Sequence, residues 1–315
     1  MTTHVLPDLT ARAVRAAHTR TPAPACPCAP GGATLSDRPD GTVVRHADTV
    51  AKAHAPHTNP TDLTARLETA ARLPGILLPP LDPRPVHLHD RQVTFWPYGA
   101  PVDPDDPDAA PWEAAATLLA RLHRTPAPTA LPPMRGPLKA ARAISRLREA
   151  VGGHPAVAPV LHAWSLLPAW ARAEAPQPDT NTLCHGDLHL GQLVRHPAPD
   201  GPWLLIDVDD LGAGVPGWDL ARPAAWYACG LLPPDEWARF LAAYRAADGP
   251  AVPSDGDPWP ALDVPARALT VQTAALAIAK AVAAGRPLDE VEVAVVDACD
   301  RMGSVPPELT PGSAK

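Results

Sequence analysis

Apolar positions recur along this chain with two different spacings, and the change from one to the other divides it. A helical stretch comes first, with Leu9, Ala13, Val14 and Ala17 on one face. Beyond the Pro-rich residues 21–30 the pattern is short and extended, predicting strands over 33–36, 42–45 and 49–54. The turn Arg38-Pro39-Asp40-Gly41 joins the first two, Pro presetting φ and Gly supplying a positive φ. Asn59-Pro60 reads as the cap and first residue of a helix with Leu63, Leu67, Ala70 and Ala71 on one face, stopping at Pro74-Gly75. Two more strands follow, over 86–89 and 93–96, joined by Asp90-Arg91.

From Pro101 the helical period takes over. An acidic, Pro-rich link over 102–108 leads into a helix over 112–123, and further helices are predicted over 138–151, 157–173, 218–231, 235–247, 264–284 and 288–302. A short β region interrupts them, over 182–184, 192–195 and 203–206. The expected organisation is a small antiparallel-sheet lobe over 1–100, with 1–30 as an extension, and a larger helical lobe over 101–315. This is an α+β arrangement with no internal repeat.

Composition narrows the classes. The 315 residues are 46% hydrophobic, enough for a sizeable core, and the net charge is -7 with no block of Lys or Arg. A protein living on phosphate contacts to nucleic acid shows a basic stripe, so nucleic acid is not an expected partner. No apolar run approaches the roughly 20 residues of a membrane span, and Met1-Thr2-Thr3-His4 opens no secretion signal, so a cytoplasmic monomer or homodimer away from membranes is expected. The 44 prolines are mostly scattered singly, which suggests rigid loops. Lys occurs only at positions 52, 139, 280 and 315, so a Lys inside an apolar strand stands out. Of the five cysteines only Cys26 and Cys28 are close. With no partner pair at zinc-ligand spacing, all five are expected to be free thiols.

The chemistry concentrates in His185-Gly186-Asp187-Leu188-His189-Leu190-Gly191-Gln192 and in Ile206-Asp207-Val208-Asp209-Asp210. A carboxylate follows a short strand, a carboxamide comes five positions later, and a second carboxylate ends an apolar strand. Mg²⁺ takes oxygen ligands and usually only one or two protein groups beside substrate phosphates. The remaining carboxylate, beside an acceptor hydroxyl, can take its proton during phosphoryl transfer.

With these residues the segment resembles the aminoglycoside phosphotransferase family, the small-molecule branch of the protein-kinase-like fold. The spacing matches the kinase loop in which a catalytic Asp precedes the metal-binding Asn by five residues, and Gly217-Trp218-Asp219-Leu220-Ala221 matches the helix that follows. The resemblance covers roughly residues 31–230. It implies a bilobal kinase-like fold with ATP (or GTP) and Mg²⁺ between the lobes, and transfer to a hydroxyl of a small molecule. Asp187 would be the catalytic base and Gln192 and Asp207 the metal ligands, with Asp209 a further candidate; His185 and Asp219 would support the catalytic loop. Gln192 replaces the usual Asn, keeping the carbonyl with an extra methylene.

In the first lobe period two puts Val50 and Lys52 on one strand face, suited to the adenine and the α/β-phosphates. Glu68 is the expected ion-pair partner of Lys52, and Trp96 and Tyr98 fall where the family's hinge passes the base. A Gly-rich phosphate loop is missing, since Gly31-Gly32 precede the first strand and the turn holds only Gly41. For the acceptor, His189, Asp210 and Trp226 are candidates and an antibiotic is the leading expectation, with a sugar or other metabolite as the alternative. Two other classes compete: a metallophosphoesterase built on His185, Asp187 and His189, which lacks the further ligands a two-metal site needs, and a kinase-like binding module without turnover.

Overall fold

Alternating burial along the early strands produces a five-stranded antiparallel sheet in the order β1-β2-β3-β5-β4. Its strands are β1 (Ala33–Arg38), β2 (Gly41–His46), β3 (Thr49–His54), β4 (Val86–Leu88) and β5 (Arg91–Pro97). These come from a computed structural model that describes residues 5–20, 32–150, 154–178 and 181–303. The Pro-rich stretch with Cys26, Cys28 and Gly31 lies outside the described residues, as does Val151. One sheet face buries Val44, Ala51, Ala53 and Val93, and helix α1 (Val5–Arg20) covers it with Val5, Leu9 and Ala13. Leu9 is fully buried, so truncating it to Ala would cost about 2–5 kcal/mol.

Helix α2 (Pro60–Arg72) starts as its sequence dictates. Asn59 Oδ1 accepts from the backbone N–H of Thr61 (2.9 Å) and Asp62 (3.1 Å), and Pro60 sits where no donor is needed. Leu63, Leu67 and Ala70 face inward, while Ala71, expected on that face, is exposed.

Contacts divide the chain into two compact units, 1–111 with 128–132 and 190–209, and 112–127 with 133–189 and 210–315. Sequence placed the division at residue 100 and kept 190–209 with the helices. That segment forms the hairpin β8 (Leu193–Arg195) and β9 (Trp203–Leu205), flanked on β8 by β6 (Ala100–Pro101). It is anchored in the first unit by Leu78 N–H to Leu205 O and Leu205 N–H to Ile76 O, both 2.9 Å, and by packing of Leu78, Val194 and Leu204 with Ile206.

The second unit holds helices α3 (Trp112–His123), α4 (Gly136–Ala150), α5 (Val157–Ser165), α6 (Gly217–Ala228), α7 (Pro234–Ala246), α8 (Trp259–Ala283) and α9 (Glu290–Gly303). A two-stranded ladder of β7 (Thr182–Cys184) and β10 (Gly212–Gly214) accompanies them. Helix α8 is long and apolar enough by length and composition to cross a membrane. In this fold it packs against α4, α5, α6 and α9 and buries Leu262, Leu269, Val271 and Ile278. Cys184, Cys229 and Cys299 are free thiols.

Candidate active site

In the first unit, the pairing of β3 with β5 sets Lys52 opposite Thr94 and Val50 opposite Trp96. The Lys52 ammonium lies 2.7 Å from Asp207 Oδ1 and 3.0 Å from Asp209 Oδ2. Burial alone would lower its pKa, but the two carboxylates overcome that and raise it above the ordinary lysine value. Asp209 is held in turn by His54, whose Nδ1 lies 2.7 Å from Asp209 Oδ1. On its other side His54 Nε2 is 2.9 Å from Thr94 Oγ1, which also accepts from Trp96 Nε1. Burial works against ionising Asp209, yet His54 and Lys52 hold its carboxyl well below the usual range.

The 207–209 turn is strained. Asp207 has φ +66°, a left-handed conformation that a non-Gly residue adopts at a cost of order 1–3 kcal/mol and that clusters at functional sites. Its Oδ1 accepts from the Asp209 N–H at 3.2 Å, which fixes the turn.

In the second unit, the loop after β7 is clamped from below. Asp219, on α6 and fully buried, accepts from the backbone N–H of His185 (2.6 Å) and Gly186 (2.7 Å). Its Oδ2 also meets His123 Nε2 at 2.9 Å, His123 Nδ1 meets the Tyr244 hydroxyl at 2.7 Å, and that hydroxyl accepts from the Ala251 N–H at 3.0 Å. The donors balance in one way: Tyr244 donates to Nδ1 and the Nε2–H donates to Asp219. His123, Cys184 and Asp219 offer atoms close enough for a metal, but Asp219 and His123 are consumed by this chain, and burial, then Asp219, push the Cys184 thiol well up. Gly186 has φ +86°, and a Cβ there would run into the Asp210 carbonyl oxygen, so the loop requires glycine.

On that platform Asp187 is fixed by two cations. Lys139, from α4, places its ammonium 2.5 Å from Asp187 Oδ2 and 2.8 Å from Asp210 Oδ2. Arg222, one turn beyond Asp219 on α6, donates from Nη2 to Asp187 Oδ1 at 3.1 Å and from Nε to the Leu188 carbonyl at 2.9 Å. Burial favours the protonated acid, but Lys139 and then Arg222 outweigh it and keep Asp187 below the ordinary carboxylate range. Lys139 is likewise raised, Asp210 and Asp187 overcoming its burial. His189 is pushed down to about 4, chiefly by burial, and is neutral at neutral pH.

One sequence expectation needs correction. Glu68 does not pair with Lys52: the inward face of α2 is taken by Leu63, Leu67 and Ala70, which leaves Glu68 exposed, and Asp207 and Asp209 take the ammonium. At the hinge, both backbone groups of Tyr98 are engaged, its N–H with Asp48 O (2.8 Å) and its carbonyl with His196 Nδ1 (3.0 Å). The ring of Tyr98 is covered by the Arg45 guanidinium at 3.3 Å. Trp96 is buried against Thr94. Asp210 is buried beside Asp187 through their shared Lys139, whereas Trp226 is half-buried near the end of α6. Sequence reasoning missed Lys139, Arg222, His54 and His123. The scarcity of Lys pointed to Lys139 as strongly as to Lys52, and Arg222 follows Asp219 by one helical turn; His54 and His123 carried no local signal.

The donors at 192 and 207–209 suit a hard divalent cation. All are oxygens, and the Asp207 and Asp209 carboxylates already converge on one positive charge, that of Lys52. Register brings Gln192 to the same hairpin mouth: the Ile206 N–H donates to the Gln192 carbonyl at 2.9 Å, one residue before Asp207.

An antiparallel-sheet unit and a helical unit of this kind form the kinase-like α+β fold. The model of the APH phosphotransferase enzyme family matches residues 42–263, and the chain belongs to that family. It is thus a phosphotransferase. Solved structures share the fold at low identity. A choline/ethanolamine kinase family protein from Mesorhizobium loti has a TM-score of 0.55 at 15% identity, covering 93% of this chain and 95% of its own. Spectinomycin phosphotransferase APH(9)-Ia, solved with ADP and spectinomycin, has 0.55 at 13%, covering 88% and 90%. A microcompartment-associated aminopropanol kinase has 0.54 at 18%, covering 86% and 90%. No curated protein matches the chain.

Proposed function

We propose that this protein transfers the γ-phosphoryl group of ATP to a hydroxyl of a small molecule, with Asp187 as the base. The observation that carries this reading is the state of Asp187: ionised, part-buried, and held on a loop whose backbone N–H groups are pinned by buried Asp219. In that state it can orient an acceptor hydroxyl and take its proton as the bond to phosphorus forms. Its lowered pKa makes it a weak base, which suits a transfer dominated by positioning and charge stabilisation. Lys52 carries the charge for the nucleotide phosphates. Gln192, Asp207 and Asp209 would hold Mg²⁺, which when bound neutralises phosphate charge. His185 and Asp219 keep the loop in shape.

The acceptor reading favours an antibiotic, as for the spectinomycin phosphotransferase of the same fold. The charges around Asp187 refine it. Asp187 and Asp210 are matched by Lys139 and Arg222, and Asp297 and Asp300, on α9, face solvent. A heavily cationic aminoglycoside gains little from carboxylates already paired. An acceptor with few charged amines fits better. The test is phosphate transfer from ATP, detected by mass, across aminoglycosides, less charged antibiotics, amino alcohols and sugars. ATP-dependent product with a hydroxylated acceptor, lost in Asp187→Asn, is expected. A preference for the most highly charged aminoglycosides would overturn the acceptor reading, and full activity in Asp187→Asn would overturn the role of the base.

A further inference from the structure

The long helix α8 carries one polar side chain that the fold itself does not use. Its buried face is apolar except for Thr270 and Gln272. Thr270 closes on its own helix, the hydroxyl donating to the Ala266 carbonyl at 2.9 Å. Gln272 is 6% exposed, and its amide makes no hydrogen bond with the described residues. A buried amide without a partner costs stability, and native chains keep few of them. Gln272 lines a small cavity of the second unit together with Lys139, Gly186, Asp187, Trp218 and Arg222. The space enclosed there suits about one water-sized group.

We propose that Gln272 binds a second hydroxyl of the acceptor, next to the one received by Asp187, and so selects vicinal diols over amino alcohols. The inference rests on Asp187 being the base of the proposed reaction and adds the substrate class. The charges of the cavity carry it. Lys139 and Arg222 both bind Asp187, and Lys139 also holds Asp210. His189, on the same loop, is neutral at neutral pH. An ammonium group entering beside Gln272 would meet two cations and no carboxylate free of them, which rejects it. A hydroxyl brings no charge; it can donate to the amide oxygen and accept from the amide N–H. Trp218 forms the neighbouring wall. Its ring is fixed against Trp170, with centroids 6.1 Å apart, and against Gly136, where any Cβ would overlap it. The indole is therefore a rigid reporter of what enters the cavity.

The experiment titrates two probes that differ in one group, cis-1,2-cyclohexanediol and cis-2-aminocyclohexanol, into the full isotope-labelled chain at neutral pH. The readout is the indole N–H signal of Trp218 in nitrogen–proton NMR, identified by its loss in Trp218→Phe. The diol should move that signal saturably, and the amino alcohol should bind at least about tenfold more weakly. Gln272→Met keeps the length of the side chain without its hydrogen-bonding groups. There the diol should bind about tenfold more weakly, the loss of one hydrogen bond at the upper end of its ordinary strength. The denaturant midpoint of that variant should stay equal or rise, because an unpartnered amide gives way to an apolar group of similar size. A lower midpoint would make the amide a structural group and overturn the proposal. Equal binding of the two probes, full diol affinity in Gln272→Met, or no saturable shift, as for a cavity holding a trapped water only, would overturn it too. Binding is read here without phosphate transfer, so each of these results leaves the role of Asp187 to be decided by Asp187→Asn.

Discussion

Two lysines in this molecule are each held by two carboxylates, and the proposed reaction gives the two clusters opposite tasks. Lys52 rises from the middle of a sheet between Asp207 and Asp209, with His54, Thr94 and Trp96 lined up behind. In the proposed reaction the cation there is the working group, and its carboxylates would hold the metal ion. Lys139 reaches from a helix to Asp187 and Asp210. In the proposed reaction the carboxylate there is the working group, and the lysine helps keep it ionised. The supports differ accordingly. Strand register alone positions Lys52, whereas Asp187 depends on a loop tied through Asp219 and His123 to Tyr244 on a distant helix.

The contrast can be broken at its strongest point first. Asp187→Ala should lower kcat by about 10²–10⁴-fold, the usual range for a lost general base, with far-ultraviolet circular dichroism unchanged. Lys52→Ala should act mainly on nucleotide affinity, raising KM for ATP by about tenfold or more, as loss of a charge-assisted contact of ~1.5–3 kcal/mol implies. Nucleotide titration of both variants separates the clusters; equal loss of ATP affinity in each would erase the distinction.

Tyr244→Phe tests the support of the second cluster. It strips the buried donor from His123 and the acceptor from the Ala251 N–H, at a cost of about 1–3 kcal/mol in denaturant unfolding. Lys139→Met removes the first of the cations that depress Asp187, so the acid limb of the kcat/KM profile should move to higher pH. The last test concerns His189. Its folded pKa of about 4 lies below the ordinary value of about 6.5, so as pH falls between these the unfolded chain binds the proton first and stability drops. Over that window the loss reaches at most about 3 kcal/mol. It should be smaller in His189→Gln, measured by chemical denaturation at pH 7 and pH 4.5.

Local signals carried most of the outline. The Asn59-Pro60 cap, the helix over Trp112–His123 and the strand over Thr182–Cys184 all lie where sequence puts them, because each is fixed by its own residues. Helix α5 stops at Ser165 and not at 173, since Pro168 lacks a donor and disfavours helical geometry before it. Helix α8 begins at Trp259, five residues earlier than expected, with Pro260 in its first turn and Pro265 tolerated inside. At the candidate site, motif spacing pointed to Asp187, Gln192 and Asp207. The residues that surround and support them come from positions 54, 123, 139 and 244, distant in sequence, and only tertiary packing brings them in. Glu68 shows the same limit from the other side, since a family role was assigned to a residue whose helix face turns outward.

The family match begins at residue 42, after α1 and β1. A chain trimmed to the matched span would therefore lose the lid over Val44, Ala51, Ala53 and Val93 and leave a greasy sheet surface open to water. Anyone preparing a minimal enzyme from this sequence should keep the first twenty residues, or expect a sticky, aggregating product.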